Sequence, residues 1–324
     1  MKAKKALKIT ALVLGALALV LLGGPFLVPV PPLEGTVPPE QLGDPDSQFI
    51  DLNGVRVHVK IAGEGKPALV LLHGFAASTY SWQAVMPALA ESRQVIAYDR
   101  TGFGLTERPM PGEWTGASPY GPEAYVEQLL ALLDRQGIDR AVLAGNSAGG
   151  TVATAFALAH PERVQALVLV DAAIYSGGGA PAFVRPLLGT PQMRHLGPLI
   201  ARTIRDRGPE LIELAWHDPG RMSPGVLAGY TKPLQAENWD RALWEVTITS
   251  RESDLAGRLS ELSVPVLVIT GDDDRIVPTA QSLQLARDIP GAQLVVIPEC
   301  GHVPQEERPA EFLKAVSDFL AQLP

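Results

Sequence analysis

The stretch Ala141-Val142-Leu143-Ala144-Gly145-Asn146-Ser147-Ala148-Gly149 decides the fold. An apolar run of strand character leads without interruption into Gly-x-Ser-x-Gly, and a helical pattern of small apolar residues, Ala148–Ala159, follows. A tight strand-to-helix turn forces its serine into a strained backbone conformation. The residues at 145 and 149 must then be small, because neighbouring chain segments approach closely there. Gly-x-Ser-x-Gly also occurs by chance in loops, but a strand before it and a helix after it argue against that reading. The turn lifts the Ser147 hydroxyl into the open, and the unpaired N–H groups and dipole of the new helix favour negative charge beside it.

Working outward, further short apolar runs occur at Ala68–Leu72, Val95–Tyr98, Val164–Val170, Val264–Thr270 and Leu294–Ile297. They alternate with helical patterns at Pro122–Gln136, Ala280–Asp288 and Pro309–Leu323. Runs that are apolar on both faces and separated by helices predict an α/β fold, a mainly parallel sheet covered on both sides with right-handed crossovers. An antiparallel pair, Phe49–Leu52 and Val55–Ile61, opens the body around the turn signal Asn53-Gly54. The gap from Val170 to Val264 is longer than one crossover requires. Residues 174–257 are read as an inserted helical cap, with residues 48–173 and 258–324 forming the core. The cap holds Arg185, Arg194, Trp216, His217, Tyr230, Trp239 and Trp244, a set suited either to lining a pocket or to packing the cap on the core.

A serine hydroxyl needs a base to take its proton and an acid to orient that base. His302, in Cys300-Gly301-His302, follows the last strand and would reach the sheet edge that carries Ser147. His58 lies in the opening hairpin, His160 ends a helix, and His195 and His217 belong to the cap, so each has a structural role available. Asp274 follows the penultimate strand and is the expected acid. Asp171, after another core strand, competes with it. Asp272 and Asp273 read as turn-forming and solvating, since no calcium-loop pattern surrounds them. The backbone N–H groups of Ala148 and Phe75 are the expected donors to a tetrahedral oxyanion. His73 reads as a brace beside Phe75.

The formal net charge of −8 disfavours nucleic acid as a partner. The basic residues cluster only at the start, as Lys2, Lys4, Lys5 and Lys8, before an uncharged apolar stretch from Ile9 to Leu33. Residues 1–33 therefore read as a membrane anchor or signal segment. A poor cleavage site after Gly24 favours the uncleaved anchor, with the N-terminus cytoplasmic and the body outside; cleavage would make the body a secreted one. Six prolines between Pro29 and Pro45 make residues 34–47 a stiff extended tether. A single cysteine, Cys300, allows no internal disulfide and reads as a packed core residue.

Five motifs stand in succession: His73-Gly74-Phe75, Asp99-Arg100-Thr101-Gly102-Phe103-Gly104, the Ser147 turn, the Asp274 loop and Gly301-His302. In this order they resemble the α/β-hydrolase superfamily, from about Phe49 to the end of the chain. The family most often has Pro where Thr101 stands and Ser where Thr106 stands, departures that affect loop shape. The resemblance implies a capped, cofactor-free hydrolase without a metal, acting on a small-molecule acyl substrate, with a carboxylic ester as the main expectation. Carbon–carbon hydrolysis or perhydrolysis on the same triad is the alternative, and a ligand sensor with little turnover is another. Relatives that hydrolyse halides or epoxides carry Asp where Ser147 stands. Carbon–carbon hydrolases usually show Gly-Pro-Gly after the first motif histidine, which Phe75-Ala76 does not match.

Overall fold

The computed structural model describes residues 2–175, 179–251 and 253–323. Its strands are β1 (Ser47–Leu52), β2 (Val55–Ala62), β3 (Ala68–Leu72), β4 (Val95–Tyr98), β5 (Ala141–Asn146), β6 (Val164–Val170), β7 (Val266–Gly271) and β8 (Gln293–Ile297). Helices α1 (Lys2–Gly23), α2 (Met86–Ala90), α3 (Pro122–Arg135) and α4 (Ala148–Ala159) precede an all-helical insertion between β6 and β7. That insertion comprises α5 (Arg185–Leu188), α6 (Pro191–Ala201), α7 (Thr203–Leu214), α8 (Pro224–Thr231) and α9 (Trp239–Thr249). Helices α10 (Thr279–Asp288), α11 (Pro304–Glu307) and α12 (Pro309–Leu320) complete the core.

The described strands form one sheet in the order β1-β2-β4-β3-β5-β6-β7-β8, antiparallel at β1/β2 and β2/β4 and parallel elsewhere. Strand side chains alternate between two apolar layers. Val70, Leu143 and Leu167 face a layer with Leu129 of α3, Phe156 of α4 and Leu285 of α10. Leu71, Val142 and Val168 face the opposite layer, with Leu89 of α2 and Phe312 and Phe319 of α12. Burial on both faces explains why these strands read as continuous apolar runs.

The structure corrects one expectation and adds detail to another. Strand β8 is not buried on both faces, because it closes the sheet and exposes Leu294 and Val296. Residues 34–47, read as a stiff extended tether, are held against the body of the protein. Val37 pairs with the insertion through Val37 N–H to Gln235 O and Glu237 N–H to Val37 O, both 3.0 Å, and Pro39–Leu42 forms a 3-10 turn. Lys60 and Lys232 both bind Asp44, at 2.9 and 2.6 Å, pinning the segment between hairpin and cap. Proline stiffness is thus used here to lay the chain along a surface.

Helix α1 is exposed from Lys4 to Gly23, and Lys4–Leu27 is long and apolar enough by composition to cross a membrane. The chain leaving it lies on the cap helix α6. Gln192 donates to Leu22 O at 3.0 Å, His195 to Val28 O at 2.9 Å, and Arg202 to Pro31 O at 2.7 Å.

Candidate active site

Ser147 sits between β5 and α4 at φ 54° and ψ −121°, a left-handed region that costs a non-glycine residue on the order of 1–3 kcal/mol. The surroundings hold it there. Its N–H donates to Val170 O at 2.9 Å, while its carbonyl accepts from Gly150 at 2.9 Å and Ala173 at 3.2 Å. A Cβ on Gly145 would lie 2.5 Å from the Gly149 carbonyl, and one on Gly149 would lie 2.2 Å from Leu72 O. Both glycines are demanded by backbone approach. Ala148, the first residue of α4, follows directly.

His302 and Asp274 approach from the ends of the two strands beyond β6. Asp274 Oδ1 accepts the N–H groups of Ile276 and Val277 at 2.8 and 2.9 Å, so the carboxylate folds back on its own loop. Its Oδ2 lies 2.7 Å from His302 Nδ1, and both side chains are buried. That contact occupies Nδ1 and leaves Nε2 as the other ring nitrogen. The His302 peptide N–H donates to Ala215 O of the cap at 2.7 Å, and its carbonyl accepts from Asn146 Nδ2 at 3.0 Å, tying the histidine loop to the serine turn. Gly301 allows this approach, since a Cβ there would lie 2.4 Å from Ala215 O. Ser147 and His302 open on one cavity.

The competing acid Asp171 is buried close by but does not take the histidine contact. Asp171, Asp274 and His302 bring one potential ligand atom each within 4.8 Å of one another. The 2.7 Å His302–Asp274 separation is that of a hydrogen bond, so this spacing is accounted for by a shared proton.

Around Phe75 the first motif is braced as a unit. A Cβ on Gly74 would lie 3.3 Å from Ser147 Cβ, so the loop rests against the serine turn. Inside it, His73 Nδ1 binds Gly74 O at 2.7 Å, and Nε2 accepts the Arg100 N–H at 3.1 Å. Burial and the neighbouring Arg100 charge push His73 down to about 3, so it is neutral and structural. Asp99 is held down at about 2, against the cost of burial, by His58 and by backbone donors. It accepts from His58 Nδ1 at 2.7 Å, Thr79 N–H at 2.6 Å and Leu105 N–H at 2.8 Å. Thr106 fits where the family more often has serine: its hydroxyl donates to Asp99 O at 2.6 Å and accepts the His58 N–H at 3.0 Å.

The cavity over Ser147 has a volume of about 270 Å³. The cap supplies Ile204, Leu211, Ile212 and Leu234, the core supplies Phe75, Ile276 and Val303, and Arg205 is its one cationic wall among the described residues. Of the cap residues singled out from sequence, Trp216 and Tyr230 line this cavity. Arg194 instead binds Glu245 at 2.8 Å, His217 binds Asp273 at 2.9 Å, Trp239 lies under the Arg205 guanidinium, and Trp244 packs against Gly197. Asp273 therefore does more than solvate a turn: it bridges the acid loop to the cap. Sequence reading missed α7 as the pocket wall, although Ile204, Gly208, Leu211, Ile212 and Ala215 recur at helical spacing. A larger cavity, about 830 Å³, lies between the hairpin and the cap, away from Ser147.

A family model described as alpha/beta hydrolase fold matches residues 67–309. The chain is similar to a 2-hydroxymuconate semialdehyde hydrolase of Pseudomonas sp. (strain CF600), 35% identical over 277 residues that span 83% of this chain and 92% of that one. It also resembles the solved structure of a thermophilic esterase from Thermogutta terrifontis, with a TM-score of 0.68 and 27% identity over 86% of this chain and 98% of that one. The crystal structure of a membrane phospholipase A, 26% identical with a TM-score of 0.68, covers 99% of both chains. The lack of Gly-Pro-Gly after His73 therefore does not separate this sequence from carbon–carbon hydrolases.

Proposed function

The chain belongs to the α/β hydrolase fold family, and from that premise we propose that it is a serine hydrolase forming an acyl-enzyme on Ser147. His302 takes the hydroxyl proton through Nε2 and returns it to the leaving group. Asp274 orients the ring and stabilises the imidazolium, and the Phe75 and Ala148 N–H groups receive the oxyanion. Water then attacks the acyl-enzyme with His302 again as base, releasing the acid and restoring Ser147.

For the bond cleaved, the observation that supports a carboxylic ester with an apolar acyl group is the wall of Ile204, Leu211, Ile212, Leu234, Ile276 and Val303 over Ser147. Burial of an alkyl chain contributes roughly 0.8 kcal/mol per methylene on such a wall. Anchoring by α1 belongs to this reading. A structural likeness that covers 99% of this chain is to a protein described as a membrane phospholipase A, and the segment after α1 rests on the cap, where Val37 pairs with Gln235 next to the cavity residue Leu234. An ester released from a bilayer would meet the site there.

A second reading, hydrolysis of a carbon–carbon bond next to a ketone, is the one that sequence similarity favours, because the 35%-identical relative is a semialdehyde hydrolase. Arg205 could then bind a substrate carboxylate, although its guanidinium already stacks on Trp239 and donates to Leu234 O at 3.2 Å. The two readings separate on one panel: acyl esters of rising chain length and phospholipid vesicles against 2-hydroxy-6-oxo-dienoates. The ester reading expects kcat/KM to rise with chain length and little turnover of the dienoates. The reverse ranking would establish the carbon–carbon reading.

A further inference from the structure

Asp171 ends the β6 segment with no exposure to solvent and a backbone φ of 45°, a left-handed conformation that aspartate adopts at a cost. Its N–H donates to Ile269 O at 2.9 Å. Oδ1 accepts from the Thr270 hydroxyl at 2.6 Å and from the Gly271 N–H at 3.3 Å. Oδ2 is buried and has no protein partner of its own. A buried, unpaired carboxylate oxygen is expensive, and one oxygen of this carboxylate lies within 4.8 Å of one oxygen of the Asp274 carboxylate.

Two carboxylates at such range do not both keep a charge inside a protein. The hydrogen bonds say which one does. The Asp274 carboxylate meets donors on both oxygens: Ile276 N–H and Val277 N–H on Oδ1, and the His302 ring on Oδ2. Asp171 has donors on one oxygen only. Burial, and then the Asp274 charge, push the Asp171 carboxyl well above the usual carboxylate range. The titratable groups facing it are Asp274, His302 and the buried Cys300, whose thiol is itself pushed up.

We propose that Asp171 is a positioning residue: it keeps its proton and donates it from Oδ2 to the Asp274 carboxylate, extending the relay to Ser147, His302, Asp274, Asp171. The inference rests on the triad reading above. The proton of Asp171 stays on Asp171 throughout turnover. Its hydrogen bond holds Asp274 in the rotamer that meets His302 Nδ1 and withdraws part of the Asp274 charge, which tempers the basicity of the histidine. The same placement makes Asp171 a reserve acid. If Asp274 is removed, Asp171 loses its like-charged neighbour, releases its proton to solvent, and can accept the His302 Nδ1–H after a small shift or through one water.

Infrared difference spectroscopy and kinetics on the full chain test this. At pH 7 the wild type should show the C=O band of a neutral buried carboxylic acid that Asp171→Asn removes; this readout does not depend on the triad assignment. Asp171→Leu should lower kcat/KM about 100-fold and move the acid limb of its pH profile upward by about 0.5–1 unit, while Asp171→Asn, whose amide can still donate, recovers activity to within about 10-fold of wild type. In the Asp274→Ala background, Asp171→Asn should cost at least about 10-fold more than it does alone. If Asp171→Leu does not fold, the infrared band and the Asp274→Ala cycle decide. Absence of the band, an Asn variant as damaged as the Leu variant, or additive losses in the cycle would each overturn the proposal. A band that appears while Ser147→Ala still turns over would leave the Asp171 proton in place and remove the triad instead.

Discussion

Glu307 accepts the peptide N–H of Gly301 at 2.7 Å, the residue just before His302. The same carboxylate also accepts the N–H groups of His217 at 3.0 Å and Asp218 at 2.9 Å from the cap. One buried acid on α11 thus ties the histidine loop and the cap together, and sets how the cap stands over Ser147.

Replacing Glu307 by Ala strands three backbone donors. Denaturant unfolding should show a loss of about 3 kcal/mol, and kcat should fall because the His302 loop loses its clamp. Glu307→Gln keeps an acceptor oxygen and should lose less of both.

Gly149→Ala places a methyl group 2.2 Å from Leu72 O, a backbone atom that cannot rotate away. Thermal or denaturant unfolding should register about 2–3 kcal/mol of destabilisation. Gly137→Ala serves as a control of another kind: its Cβ meets nothing within 4 Å but its φ is +64°, so its cost is backbone strain of about 1 kcal/mol without loss of the serine turn.

Burial raises Glu306 from its ordinary 4.5 to about 8, against the hydrogen bond it accepts from the Tyr230 hydroxyl. A carboxyl that is harder to ionise in the folded state contributes stability that is complete below about 4.5 and lost as pH rises through about 8. Melting temperatures measured from pH 5 to pH 9 should therefore decline for the wild type. In Glu306→Gln, which has no proton to lose, the decline should be smaller. Equal slopes for the two proteins would remove Glu306 as the source.

A chain beginning at Glu34 should leave the membrane fraction while keeping kcat/KM on water-soluble esters within about threefold. It should melt somewhat lower, because Arg202 loses Pro31 O and His195 loses Val28 O and the Phe26 ring. Activity on esters held in vesicles should drop at least about tenfold if α1 delivers the site to its substrate. Fractionation and parallel assays of both chains check this.

Much of this architecture was legible in the chain. The strand, glycine and helix signals around Ser147 are local, and buried parallel strands declare themselves as apolar runs because both faces are covered. Asp274 and His302 could be named because each follows a strand. What was not legible depends on contacts between distant segments. Nothing near Pro38 in sequence says that Val37 will pair with Gln235 and Glu237. Arg194, His217 and Trp239 could be read either as pocket residues or as cap packing, and only their partners Glu245, Asp273 and Arg205 decide for packing. Asp171 could be read as a rival acid, but its relation to Asp274 depends on how two strand ends meet.

The most direct measurement is labelling by a fluorophosphonate probe with the modified peptide mapped by mass spectrometry, alongside turnover of an acyl ester by wild type and Ser147→Ala. The account predicts a single adduct on Ser147 and a loss of kcat on the order of 10⁴-fold or more in the variant. An adduct on another residue, or steady ester turnover by Ser147→Ala, would contradict it.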